Sequence, residues 1–278
     1  MSTDDLEGVS LDKVLLDALV AEFCGTGVAG LALTGSHARG DAGPHSDLDL
    51  LRFSDLAPGR SRDEYQLRYV DDLLVSVSTR TFASKRAELR DPARAIWGVA
   101  GLRQARVLYD REGELCALLE EAHAFDWAPL RGAARELLGE ELSGCAEEVH
   151  KILGALERDD DSALLYASLG LALALAKLVA VAEELVIETE NRYFDQLHAA
   201  VGADSRWSRL HRLAIGLEAG PAALRPAQVR AIAGLHLYVS THARVASELA
   251  ATDAAVVSRA CERIASVALP ELALRGSS

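Results

Sequence analysis

Residues 31–53 read LALTGSHARGDAGPHSDLDLLRF. The apolar run 28–33 ends at Thr34-Gly35-Ser36, and eleven residues after Ser36 comes Asp47, followed by Asp49 inside Asp47-Leu48-Asp49-Leu50-Leu51. The pattern predicts strand, glycine turn, short helix start, loop and second strand. Side chains alternate across a strand, so Asp47 and Asp49 share one face. Leu48, Leu50 and Phe53 mark a strand that packs, not an acidic surface loop. Two neighbouring carboxylates repel one another and cost free energy unless a cation sits between them. An Asp-x-Asp strand close after a Gly-Ser turn therefore points to a divalent-metal and phosphate site.

Outward from this stretch, residues 11–23 have helical apolar spacing with Ser10 as an N-cap, and Gly25-Thr26-Gly27 stops them. Residues 47–53 form the second strand, and 54–62, with Pro58-Gly59, a loop. Residues 66–70 and 73–79 predict a hairpin turning at Asp71-Asp72. Helices over 82–90 and 93–104, a short strand over 105–109 and a helix over 114–124 complete the first part. The character then changes. Residues 130–156, 162–188, 191–201, 205–217, 226–250 and 252–268 all carry helical periodicity, with no further strand. Residues 125–129 (FDWAP) mark the boundary. The expected fold is α+β: residues 1–125 around a small mixed sheet, and residues 126–278 as an all-α bundle.

The chain has 278 residues, half of them apolar, and a net charge of −13. About −8 falls before Leu130 and about −5 after it, so neither part is a hidden basic module. Nucleic acid is an unlikely partner, because phosphate backbones reward Lys and Arg. An acidic cleft suits a metal ion or a cationic substrate. Cys24, Cys116, Cys145 and Cys261 follow no metal spacing and read as reduced, mostly packed thiols of a cytoplasmic protein. The first residues, MSTDDLEG, are acidic and polar, unlike a signal peptide. Residues 163–182 approach the length of a membrane span. Lys177, the following Glu183-Glu184 and the small-residue content predict instead a buried central helix and no membrane partner. The Ala/Leu-rich helices could bury a homodimer interface as easily as a core.

The residue chemistry around Asp47 is consistent with nucleotide handling. Gly35 lets the backbone approach a bulky anion. Ser36, where a helix should begin, offers its hydroxyl and nearby amides to phosphate oxygens. Asp47 and Asp49 would hold Mg²⁺, which prefers a few carboxylates plus substrate phosphates. Arg39, one turn beyond Ser36, either reaches a phosphate or is a solvated helix residue. His37 and His45 flank the motif without metal spacing, as exposed or supporting residues. No Lys-Ser/Thr follows the glycines, which makes a phosphate-loop NTPase a poor competitor.

Gly35-Ser36, Ala38-Arg39-Gly40-Asp41 and Ser46-Asp47-Leu48-Asp49-Leu50 closely resemble the signature of the DNA polymerase β-like nucleotidyltransferase superfamily. The chain is most similar to its kanamycin-type, lincosamide-type and minimal members. The resemblance implies transfer of a nucleoside monophosphate, AMP from ATP or another NTP, to a hydroxyl of a small molecule such as an aminoglycoside-like antibiotic. Pyrophosphate is released and Mg²⁺ is the cofactor. It also implies a third carboxylate on a later strand. Here that position falls on Ser76, a hydroxyl that binds Mg²⁺ weakly and is no base at neutral pH. Asp71 and Asp72 sit in the hairpin turn, at the wrong end of the strand, with Asp72 the substitute ligand to consider. The kanamycin-type enzymes take a base from their helical domain. Glu183, Glu184, Glu188 and Glu190 are the candidates here, with Glu184 preferred as an extension of the stripe through Lys177, Ala180 and Val181.

Two alternatives follow from the missing acid: a protein-adenylylating, antitoxin-type regulator with a protein partner, or a nucleotide-binding relative without efficient transfer. Arg192…His198 and Arg206…His211 also match, loosely, the Arg-x4–6-His pattern of HEPN ribonucleases. In an acidic helical chain these read as surface helix residues, with Tyr193, Phe194 and Trp207 as core or cleft wall.

Overall fold

The computed structural model describes residues 11, 13–54, 65–70 and 72–272. Ser10, the expected loop with Pro58-Gly59, and Asp71 lie outside the described residues. The fold is α+β. The chain divides into two compact units: one runs to Trp127 and takes in Val186–Glu190, and the other comprises Ala128–Leu185 and the residues from Asn191 onward.

In the first unit the order is α1 (Lys13–Phe23), β1 (Val28–Thr34), α2 (Gly35–Arg39), β2 (Leu48–Ser54), β3 (Tyr65–Val70), β4 (Leu73–Arg80), α3 (Phe82–Glu88), α4 (Pro92–Arg103), β5 (Arg106–Asp110) and α5 (Glu114–His123). The strands form one mixed sheet in the order β3-β4-β2-β1-β5, with β2 and β4 parallel and the other pairs antiparallel. Alternation gives each face its own task. Leu31, Leu33, Leu48, Leu50, Val75 and Val77 point to one side and form a core with Leu16, Leu19 and Phe23 of α1. On the other side Phe53 stacks on Phe82 of α3, ring centroids 4.3 Å apart. Gly30 leaves room there for Phe82 and Leu115, which lie 3.3–3.5 Å from where its Cβ would be. Local signals start the covering helices. Thr81 and Ser84 make a reciprocal capping box for α3. Asp91 accepts from the Ala93 amide, with Pro92 opening α4. Asp110 accepts from the amides of Gly113, Leu115 and Cys116 at the start of α5.

The second unit is helical: α6 (Arg131–Gly144), α7 (Ala146–Arg158), α8 (Asp161–Ala182), α9 (Tyr193–Val201), α10 (Arg206–Ile215), α11 (Pro226–Val245) and α12 (Ala251–Ala265). α8 is the central element and packs on α6, α7, α10 and α11. It is the one helix among the described residues long and apolar enough to cross a membrane, and 61% of that stretch is buried within the protein. The four cysteines are free.

Three expectations are corrected. The helix read over 130–156 is two, α6 and α7, meeting at Cys145 behind the weak helix former Gly144. The helix read over 162–188 ends at Ala182. Glu184 takes the left-handed conformation (φ 53°), and the Leu185 amide bonds back to the Ala180 carbonyl, closing the helix. The next residues return to the first unit, where the Ile187 amide donates to the Ile96 carbonyl of α4 at 2.6 Å. Finally, His198 and His211 are core residues, not surface ones. His211 is fully buried, His198 is 6% exposed, and their rings share a hydrogen bond of 2.8 Å. Trp207 stacks on His211 at 5.0 Å and donates its indole N–H to Thr241.

Burial disfavours the charged form of both imidazoles: it lowers the His198 pKa, and lowers that of His211 to about 3, where a proton on the neighbouring His198 would repel a second one. A histidine whose folded pKa is depressed contributes stability that is complete above its unfolded pKa near 6.5. That contribution is lost as pH falls from there toward about 3. Urea unfolding followed by circular dichroism should show about 2 kcal/mol less stability at pH 5 than at pH 6.5 from this pair, at roughly 1.4 kcal/mol per pH unit. The double variant His198→Leu, His211→Phe should lack that part of the acid slope.

Candidate active site

β2 presents its carboxylate between two strands. Register pairs Asp49 with Thr34 of β1 on one side and with Ser76 of β4 on the other. Residues opposite one another in a sheet point to the same face. Thr34, Asp49 and Ser76 therefore form a row on the face away from α1, with Leu51 and Ser78 in the next row. Ser76 donates its hydroxyl to Asp49 Oδ1 at 2.5 Å. Thr34 donates to the Asp49 carbonyl at 3.4 Å. Asp47 stands immediately before β2, two residues from Asp49, and is half-buried.

Gly35 is required where it stands. Its φ is +68°, and a Cβ there would lie 2.2 Å from Asp49 Oδ2. Any side chain would strain the turn and push the carboxylate aside. Gly35 opens the one-turn helix α2, which places Ser36 and His37 beside the row. The Ser36 carbonyl closes the turn, accepting from Gly40 and Asp41. His37 is buried and His45 exposed. Arg39 is positioned by neighbours: its Nε donates to the Asp41 carboxylate at 3.2 Å and its Nη1 to Gln104 at 3.4 Å.

Burial raises the Asp49 pKa and the Asp47 charge adds to this, while the Ser76 hydrogen bond and the charges of His37 and Arg39 act the other way. A carboxylate kept partly from water beside a like charge has a standing demand for positive charge. Asp47 and Asp49 are hard oxygen donors, the kind that could hold one Mg²⁺ completing its shell from water and phosphate. Among the described residues no group of three His, Cys, Asp or Glu is placed to hold a metal. Ser76 occupies the place of the third acid, and Asp72, at the far end of β4, is about 13 Å along the strand from it.

A cavity of about 440 Å³ extends from Asp49 and Ser76 along the sheet beneath α4. Arg80, Lys85, Arg94 and Trp97 line it. These were not read from the sequence. The signal was there in part, because alternation along β4 puts Ser76, Ser78 and Arg80 on one face. The helical contributions depend on how α3 and α4 pack. Lys85 is paired with Glu88 at 2.6 Å.

The acids proposed as bases divide. Glu188 and Glu190 belong to the first unit, with Asp49. Glu183 and Glu184 belong to the second. Glu184 does not extend the α8 stripe. It lies in the left-handed turn past the helix, where Arg131 grips both its oxygens at 2.6 and 3.1 Å.

Residues 15–93 match the nucleotidyltransferase domain family. No curated protein matches the chain. Among solved structures it is similar to a nucleotidyltransferase-like protein from Exiguobacterium sibiricum, at 14% identity and a TM-score of 0.49, over 84% of this chain and 76% of that one. Residues 15–93, which carry the Gly-Ser turn and the Asp47 and Asp49 pair, are thus similar to the nucleotidyltransferase domain, and this match supports the resemblance to the DNA polymerase β-like superfamily over that part of the chain.

Proposed function

We propose that the protein transfers AMP from ATP to a hydroxyl of a small molecule, of which an aminoglycoside-like cation is the first to test, in the cytoplasm. The observation that carries this is the Asp49 carboxylate set between Gly35 and Ser76, beside Asp47 and at the mouth of a cavity lined by Arg80, Lys85 and Arg94. Asp47 and Asp49 hold Mg²⁺. When bound, that ion neutralises the triphosphate and the charge that develops in transfer. The Gly35–Ser36 turn and Arg39 bind phosphate oxygens. Arg80 and Arg94 in the cavity wall, beside the Lys85–Glu88 pair, offer positive charge to the rest of a polyanion that an acidic protein would otherwise repel. In the reaction the acceptor oxygen bonds to the α-phosphorus, the bond from that phosphorus to the bridging oxygen breaks, and pyrophosphate leaves. The hydroxyl proton passes to a carboxylate. Glu184 is the residue proposed for it from the family resemblance.

A second reading is favoured by Ser76. The hydroxyl bonded to Asp49 stands where a third acid would help hold a second cation. The protein would then bind MgATP and transfer slowly, either to a small molecule or to a partner protein.

Incubation with α-labelled ATP, Mg²⁺ and a panel of hydroxylated acceptors should give a labelled product and pyrophosphate. Asp47→Asn should remove both, with a loss of at least about 10³-fold in kcat/KM. An Asp47→Asn rate equal to wild type on every acceptor refutes the transferase reading. Ser76→Asp should raise transfer at saturating Mg²⁺. Because it adds a third like charge beside Asp49, it should also lower the melting temperature when Mg²⁺ is withheld. A Ser76→Asp enzyme no faster than wild type tells against the missing acid as the limit. Glu184→Gln should lower kcat about 10²-fold with MgATP affinity unchanged. An unchanged kcat passes the proton to another acid.

A further inference from the structure

The cavity that opens at Asp49 has two walls of different chemistry. One is the sheet, where Ser76, Ser78 and Arg80 lie at alternate positions along about 13 Å of β4. The other is a single face of α4. Arg94, Trp97, Gly98 and Gly101 stand at the spacing i, i+3, i+4, i+7, and all four line the space. Gln104, at the end of α4, accepts from Arg39, so the Gly101 end of that face lies toward the Gly-Ser turn.

Neither backbone conformation nor packing calls for the two glycines. Neither has a positive φ. A Cβ at Gly101 would meet nothing within 4 Å, and one at Gly98 would make ordinary contacts of 3.7 and 3.8 Å with Glu88. Glycine inside a helix costs stability relative to alanine. Here it leaves bare backbone open to the cavity, next to the half-buried Trp97. Lys85 and Glu88 border the same surface. Their side chains are 17% and 16% exposed, they pair at 2.6 Å, and Glu88 Oε2 is the atom 3.7 Å from the Cβ position of Gly98. The pair cancels its own charge and sets a donor beside an acceptor, each with hydrogen-bonding capacity beyond the pair.

The occupant follows from what Asp49 holds. A nucleoside is bonded to the α-phosphate, so with that phosphate at Asp49 it has to lie in the space adjoining the carboxylate, and the cavity is that space. At about 440 Å³ it is of the size of ordinary small-molecule sites. A flat surface of helix backbone and indole, with a donor and an acceptor at its border, matches a nucleobase. Its faces stack, and its edge carries donors and acceptors side by side. We propose that α4 carries the nucleobase site of the transferase: the base lies on the backbone at Gly98 and Gly101, against the Trp97 ring, with its edge at the Lys85–Glu88 pair. The inference rests on the transferase reading above. Trp97, Gly98 and Gly101 are then the residues that tell a nucleotide from a bare polyphosphate.

The test measures binding to the full chain with Mg²⁺, by calorimetry and by tryptophan emission. The probes are a non-hydrolysable ATP analogue and inorganic tripolyphosphate. The chain has three tryptophans, and Trp127 and Trp207 are only 7% and 2% exposed, so quenching by a stacked base reports Trp97. The analogue should bind at least tenfold tighter than tripolyphosphate and quench the emission, which tripolyphosphate leaves unchanged. Trp97→Leu should remove the quench and weaken the analogue tenfold or more, with tripolyphosphate affinity changed less than twofold. Trp97→Phe should retain most of the affinity. Gly101→Leu separates a ligand role from a structural one. Leucine is the better helix former, so the melting temperature of the free protein should be no lower, yet the analogue should weaken tenfold or more. The proposal is overturned if Trp97→Leu and Gly101→Leu bind the analogue as the wild type does. It is overturned too if they weaken both probes equally, or if the wild type binds the two probes with the same affinity. In each of those cases nucleotide still binds and the transferase reading stands. A chain that binds neither probe loses the transferase reading, and the base site with it.

Discussion

A carboxylate half-buried in the middle of a sheet has to be held from both sides, and the holders of Asp49 are a hydroxyl and a bare stretch of backbone. Ser76 donates to one oxygen and Gly35 lies under the other, so close that a methyl group would overlap it. The rest of the first unit follows from keeping that arrangement. The left-handed turn at Gly35 ends β1 and begins α2 at the one point where Thr34 can still pair with Asp49. The parallel pairing of β2 with β4 is what brings Ser76 alongside. A parallel pair needs a crossover, and β3 runs antiparallel on the outer side of β4. The aliphatic residues at alternate positions tie the opposite face to α1, so the register cannot slip by one residue without turning Leu48 and Leu50 to the catalytic side.

Much of this was legible in the sequence, because alternation and turn chemistry are local. Asp47 and Asp49 flank Leu48, two residues apart, whatever the tertiary structure, and the antiparallel pairing of β3 with β4 sets Leu67 opposite Ser76. The cavity side was not available. Lys85, Arg94 and Trp97 reach the site from α3 and α4, and which way those helices turn is decided by Phe82 on Phe53 and by caps at Thr81 and Asp91, not by periodicity.

The helical unit shows the limit of periodicity from the other side. Apolar spacing runs smoothly from α8 past residue 182, and nothing in composition stops it there. The stop is made by backbone geometry at Glu184 and by the Leu185 amide, a closure that glycine normally supplies and that a glutamate supplies here. The glutamate in that turn is gripped by Arg131, which pairs its charge. The histidines tell the same lesson. His198 and His211 looked like polar residues on helix surfaces because a histidine's burial depends on a partner far away in sequence, and their partners are each other and Trp207. A neutral imidazole pair sealed under an indole is a structural element. Its loose match to a nuclease spacing is explained by packing: His211 is fully buried and His198 nearly so, and the two rings bond to each other.

Ser76 remains the residue on which the two functional readings divide, and electrostatics explains why a hydroxyl can persist there. A third carboxylate at 2.5 Å from Asp49 would add a second like charge to a group that burial and Asp47 already push toward its protonated form. The sheet would then be tolerable only with cations bound. With Ser76 the same position donates a proton instead of repelling one, so the site is organised before any ligand arrives. The gain in metal-free order comes with a weaker hold on a second ion. How far the protein departs from a fast transferase therefore depends on how much of the transition-state charge Arg39, Arg80, Lys85 and Arg94 can meet in that ion's stead. Of these, Arg39 is held in place by Asp41 and Gln104, and a cation held in place needs less reorganisation as charge develops.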